Sequence, residues 1–153
     1  SLRRHWKREI KMSQMFSILL VDDDAFILEV LRIQLERVLP SHIVVERASS
    51  GEEGLELVKE LSDSSSAPLA LIVSDYLMPG ILGSDFLIKA HEINPRSKKM
   101  MLTGQAEVEN VLKVLHHMEL FRYVGKPWEP QRMNDAVLKA VEQFIEDYSL
   151  RHQ

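Results

Sequence analysis

Five short apolar runs, at 16–21, 43–46, 69–74, 99–102 and 122–124, alternate with segments whose apolar residues recur at helical spacing. No other feature limits the possible folds as strongly. Ile27, Val30, Leu31, Val38 and Leu39 give a first helical stripe, and Leu55, Val58 and Leu61 a second. Phe86, Leu87 and Ala90 give a third, and Val108, Val111, Leu112 and Leu115 a fourth. Met133, Val137, Val141, Phe144, Ile145 and Tyr148 form the last, in a helix predicted from 130 to about 150. Strict strand–helix alternation predicts an α/β fold: a five-stranded parallel sheet between helical layers, with five helices in all. Right-handed crossovers make it a doubly wound three-layer sandwich. Capping agrees, with Ser49 and Ser50 before the second helix, Glu52 and Glu53 in its first turn, and Pro130 opening the last.

Charge and composition exclude several functions. The 153 residues contain no cysteine, which removes disulfides and thiolate chemistry. Residues 1–11 hold Arg3, Arg4, Lys7, Arg8 and Lys11 against Glu9 alone, so residues 1–15 read as a basic leader or linker and 16–150 as one domain. The net charge of −4 makes the body acidic, which argues against direct nucleic-acid binding. No apolar run approaches the ~18 residues of a membrane span, and no signal-peptide pattern is present. The domain therefore reads as cytoplasmic.

In an open parallel sheet, ligands bind beyond the carboxyl ends of the strands. Asp22, Asp23 and Asp24 follow the first run, Asp75 the third, Thr103 and Gly104 the fourth, and Lys126 and Pro127 the fifth. Each alone is ordinary: an acid there caps a helix, a Thr favours a strand, and Lys-Pro makes a turn. Together they meet on one rim. Asp22, Asp23 and Asp75 would raise one another's pKa unless a cation neutralised them, and Mg²⁺ (or Mn²⁺) suits such an oxygen set. With Lys126 as a second positive charge and Thr103 and Gly104 as hydrogen-bonding groups, the rim suits a phosphoryl group.

The blocks Ile18-Leu19-Leu20-Val21-Asp22-Asp23-Asp24, Ser74-Asp75-Tyr76-Leu77-Met78-Pro79 with Gly83, Met101-Leu102-Thr103-Gly104 and Tyr123-Val124-Gly125-Lys126-Pro127 carry a resemblance. Over residues 16–143 the chain resembles the receiver domains of two-component response regulators, the chemotaxis-regulator-like superfamily with a flavodoxin-like fold. The resemblance implies a signalling switch, which catalyses only its own phosphorylation and dephosphorylation. Asp75 matches the phospho-acceptor and a Mg²⁺ ligand. Asp23 matches the direct metal ligand, Asp22 an acid holding metal through water, and the Leu77 carbonyl a backbone ligand. Thr103 matches the switch hydroxyl, Tyr123 the switch aromatic, and Lys126 the cation that pairs with the phosphoryl group. Asp24, one step beyond the usual acidic pair, reads as a helix cap. The implied partner is a histidine kinase or phosphotransfer protein, with a homodimer through the fourth helix, fifth strand and fifth helix.

Three departures stand out: Leu82 where an Asp is common, Gly125 in place of an apolar residue, and a long loop around 64–66. Two other readings stay open. A haloacid-dehalogenase-type phosphatase would use Asp22 and Asp24 as nucleophile and acid/base. A pseudo-receiver would act only as an interaction module. At the end of the last helix, Phe144, Ile145 and Tyr148 are expected to outrun the sheet. They would then form a seam with a second subunit, or fold back on their own domain near Trp6 and Ile10.

Overall fold

Apolar residues on alternate sides of each strand let one sheet bury both its faces. The computed structural model describes residues 14–63, 66–104, 109 and 120–152. Among these, β1 (Phe16–Val21), β2 (Ile43–Ala48), β3 (Leu69–Asp75), β4 (Lys98–Thr103) and β5 (Arg122–Gly125) form one parallel sheet in the order β2-β1-β3-β4-β5. The helices are α1 (Ala25–Glu36), α2 (Gly51–Asp63), α3 (Gly83–Ile93) and α4 (Pro130–Arg151). The basic leader, most of the 64–66 loop and the fourth predicted stripe lie outside the described residues. Phe16, Ile18 and Leu20 of β1 face the core under α1 and α4, while Leu19 and Val21 face the core under α2 and α3. This is the expected doubly wound architecture.

The helix ends follow their capping residues. Asp24 accepts from the amides of Phe26 (2.9 Å) and Ile27 (3.3 Å) and starts α1. The Ser50 hydroxyl accepts from the Glu53 amide at 3.1 Å, while Glu53 reaches back to Ser49, so this pair closes the start of α2. The buried face of α1 differs from the predicted stripe: Leu28, Leu31, Leu35 and then Leu39 form it, with Val30 and Ile33 turned outward. The reason is that, outside the Glu29–Arg32–Glu36 stripe, apolar residues cover most of α1, so spacing alone admits two faces. The leucine ridge fills the groove beside β1, leaving Phe26, Val30 and Ile33 as an exposed stripe.

The end of α4 also corrects an expectation. Its 22 residues span about 33 Å, yet Phe144 and Ile145 are only 3% and 1% exposed within the chain. The Phe16 ring, at the start of β1, packs edge-on against Phe144 (6.1 Å) and Tyr148 (5.2 Å) and extends the core under the helix end. Lys98 and Asp147 pair beside it at 3.5 Å. Phe144 and Ile145 are therefore local core and not an intersubunit seam; Trp6 and Ile10 lie outside the described residues. Phe144→Glu should cost about 4 kcal/mol, through lost packing and a buried charge, as a fall in denaturation midpoint.

β4 carries one costly group. Lys99 is 1% exposed, and its ammonium donates to the Asn94 carbonyl at the end of α3. Burial, with the Lys98 charge adding, lowers its pKa from 10.5 to about 7. Across that interval the unfolded chain binds the extra proton, so stability should climb as pH rises from about 7 towards 10.5. Denaturation of Lys99→Met at several pH values should show a flatter climb, and a gain of about 1 kcal/mol or more near neutrality.

Candidate functional site

The carboxyl ends of β1, β3, β4 and β5 open onto one rim, and the sheet order puts a change of winding direction between β1 and β3. Asp22 directly follows β1, almost wholly buried, with its Oδ1 accepting from the Asp24 amide at 2.9 Å. Asp75 ends β3 and is also buried, while Asp23 is exposed between them. One carboxylate oxygen from each of Asp22, Asp23 and Asp75 can be chosen so that all lie within 4.8 Å of one another. Lys126, just beyond β5, bridges two of them, with its Nζ 2.7 Å from Asp75 Oδ1 and 3.2 Å from Asp22 Oδ2.

Two local devices hold these groups. The Lys126 amide donates to the Thr103 carbonyl at 2.8 Å, tying the end of β5 to the end of β4. Below Asp75, the Tyr76 amide donates to the Leu102 carbonyl (2.8 Å), and the Gly83 amide donates to the Tyr76 carbonyl (2.7 Å). Met78, buried among the residues under α2 and α3, anchors the intervening loop. Gly80 in that loop has φ +83°, a conformation suited to glycine.

Electrostatics follow from burial. Desolvation raises the pKa of Asp22, opposed by the Asp24 amide and then by Lys126. Desolvation likewise raises Asp75, opposed first by the Lys126 hydrogen bond and reinforced by the Asp22 charge. For Lys126 burial acts to lower the pKa, but its hydrogen bond to Asp75 and the charges of Asp75 and Asp22 outweigh it, and the net shift is upward. One ammonium thus faces three carboxylates, and the set is short of positive charge.

Asp22, Asp23, Asp75 and Lys126 are thus assembled as the sequence suggests. Thr103 lies at the same rim but is buried, and its hydroxyl donates to the Gly104 carbonyl at 3.0 Å. Tyr123 stands apart on the edge strand, 43% exposed, and the Leu77 side chain is 62% exposed. Asp24 is outside the cluster as the cap of α1, so Asp22 and Asp24 do not form the pair a phosphatase would need. Two contributors escaped sequence reasoning. The buried Ser74 hydroxyl donates to the Asp75 carbonyl at 2.9 Å, and Gln34 of α1 bonds to the connection that carries Lys126. Gln34 lies 94 residues before Trp128, so no local pattern announces it.

Residues 18–138 match the family model of the response regulator receiver domain, with all four rim segments inside the match. The chain belongs to this family. It is a receiver domain of the kind found in two-component systems. It is 29% identical over 126 residues to the hydrogenase transcriptional regulatory protein HoxA of Cupriavidus necator, covering 82% of this chain and 24% of HoxA. To the transcriptional regulatory protein DcuR of Escherichia coli strain K12 it is 28% identical over 123 residues, covering 80% of this chain and 49% of DcuR. The chain thus spans from about a quarter to half of these relatives. A response regulator receiver domain protein from Clostridium thermocellum has a similar structure, with TM-score 0.71 and 28% identity over 84% of this chain and 96% of that one. No helix among the described residues is long and apolar enough to cross a membrane.

Proposed function

We propose that this receiver is a Mg²⁺-dependent switch that accepts a phosphoryl group on Asp75. The observation that carries the reading is Lys126 Nζ bridging Asp75 and Asp22 beside the exposed Asp23. Three carboxylates against one ammonium suit a small, hard divalent cation, Mg²⁺ or Mn²⁺. Asp23, Asp75 and the Leu77 carbonyl would hold it directly and Asp22 through water. Once bound, it would neutralise the carboxylates and the charge on the phosphoryl oxygens.

The donor is read as a histidine kinase or phosphotransfer protein. An Asp75 oxygen attacks the phosphorus of a phosphohistidine in line with the P–N bond. The P–O bond forms as P–N breaks, and the imidazole leaves with the electron pair and takes up a proton. Lys126, already on Asp75, follows the phosphoryl oxygens, and the Gly104 amide donates to them. The Thr103 hydroxyl turns from the Gly104 carbonyl towards the phosphoryl group, and Tyr123 turns inward from its exposed position. This change reshapes the face that includes β5 and the first half of α4, where we place homodimer or output contacts. The site fits a cytoplasmic regulator, in line with relatives named as transcriptional regulators.

Metal binding tests the reading. Millimolar Mg²⁺ should raise the thermal midpoint of the native chain, because the ion binds only the folded state. At a hundredfold excess over the dissociation constant the gain is about 2.7 kcal/mol. Asp23→Ala should reduce the shift more than Asp22→Ala. An unchanged midpoint in calorimetry would favour an interaction module without phosphorylation.

A further inference from the structure

The connection from β5 to α4, residues 126–129, carries Lys126 and is held at both ends. Its start is tied to β4 by the bond from the Lys126 amide to the Thr103 carbonyl, 2.8 Å long. Its far end meets one side chain of α1. The Trp128 indole N–H donates to Gln34 Oε1 at 3.0 Å. Gln34 Nε2 in turn donates to the Pro130 carbonyl at 3.0 Å and to Asn134 Oδ1 at 2.8 Å. A single amide thus binds the indole of the connection, the first residue of α4 and Asn134 in that helix's second turn. Glu129 adds rigidity by capping α4, accepting from the amides of Gln131 (3.1 Å) and Arg132 (2.9 Å).

We propose that Gln34 is a positioning residue for Lys126, fixing the connection so that the ammonium reaches the phosphoryl-accepting carboxylate. The inference rests on the functional reading above. Gln34 touches neither Asp22 nor Asp75; it acts through Trp128 and the start of α4. Lys126 must hold contacts of 2.7 and 3.2 Å at once, and a shift of about 1 Å in a catalytic group can cost up to a hundredfold in rate. Without Gln34, the indole N–H, the Pro130 carbonyl and the Asn134 amide turn to water, and α1 no longer braces the connection.

The role has a signature that general damage lacks. Mg²⁺ and the Lys126 ammonium are drawn to the same carboxylates, so loosening Lys126 does not weaken the metal. Binding of a phosphoryl group does need the ammonium. The test uses the full chain and its Gln34→Leu, Gln34→Glu and Trp128→Phe variants. Mg²⁺ affinity is measured alone, and beryllofluoride affinity, as a phosphoryl mimic, at saturating Mg²⁺. Gln34→Leu should weaken beryllofluoride about tenfold, the equivalent of one or two hydrogen bonds, with Mg²⁺ affinity held within about twofold. Gln34→Glu keeps the acceptor for the indole but loses both donors, and should show the same split. Trp128→Phe removes only the N–H; it should give a loss of about threefold, which does not add to that of Gln34→Leu. Should Gln34→Leu fail to fold, the split in Trp128→Phe decides. Equal loss of both affinities, or unaltered beryllofluoride binding in these variants, overturns the role of Gln34. A native chain that binds Mg²⁺ but never beryllofluoride overturns the functional reading as well.

Discussion

Asp75→Asn, mixed with Mg²⁺ and acetyl phosphate, is expected to gain no mass, whereas the native chain gains one phosphoryl group. The amide keeps the size and planarity of the side chain but removes the nucleophilic oxygen charge. The other rim carboxylates do not replace it. Asp22 Oδ1 is held by the Asp24 amide and its Oδ2 by Lys126, and the Asp24 side chain caps α1. Asp23 stays exposed beside the site, where it is read as a metal ligand, so peptide mapping of Asp75→Asn should show no label on Asp23 either. The fold should survive, because the substitution removes one of two buried acids that burial already holds above their ordinary pKa. Far-UV circular dichroism should match the native chain.

Gly83→Ala is expected to be severely damaging for the addition of a single methyl group. A Cβ at Gly83 would lie 1.9 Å from the Asp75 carbonyl oxygen and 2.8 Å from the Asp75 carbonyl carbon and the Tyr76 Cα. All three are backbone atoms of the segment that presents the acceptor, so no side-chain rotation relieves the clash. Either α3 withdraws from the end of β3 or Asp75 moves. A loss of about 3 kcal/mol or more is expected in denaturant unfolding, with Mg²⁺ affinity falling alongside. Two other glycines calibrate the result. Gly80→Ala should cost about 1 kcal/mol, for its φ of +83°. Gly125→Ala should change stability by no more than about 0.5 kcal/mol, since its added Cβ meets no atom within 4 Å. A Gly83→Ala chain as stable as Gly125→Ala would mean the loop is not built this tightly.

The legible parts of this molecule are those written locally. Short apolar runs and strand-end acids placed all five strands within two residues and brought Asp22, Asp23 and Asp75 to one rim. Asp24 could be read as a cap because an acid immediately before a helix has a local role, and Pro130 likewise. Long-range features were not legible in this way. Which face of α1 is buried depends on the groove it meets, and so wide an apolar arc conceals that choice. The burial of Phe144 depends on a Phe16 ring 128 positions earlier, so counting residues past the sheet misjudged it. Gln34 shows the same limit, since its meaning comes from Trp128, Pro130 and Asn134 and not from its neighbours in sequence. Lys99, next to a second lysine in β4, gave no sign that its ammonium is buried on the Asn94 carbonyl.

The central claim is that Asp75 is the acceptor and that Lys126 and the acidic cluster serve it. The most direct measurement is to phosphorylate the native chain with a phosphohistidine donor and Mg²⁺, trap the acyl phosphate by borohydride reduction, and locate the modified residue by peptide mass spectrometry. The account predicts modification at Asp75 alone, dependent on Mg²⁺ and much reduced in Lys126→Ala. Modification at Asp22, or labelling of Asp75 that persists undiminished without divalent metal, would contradict it.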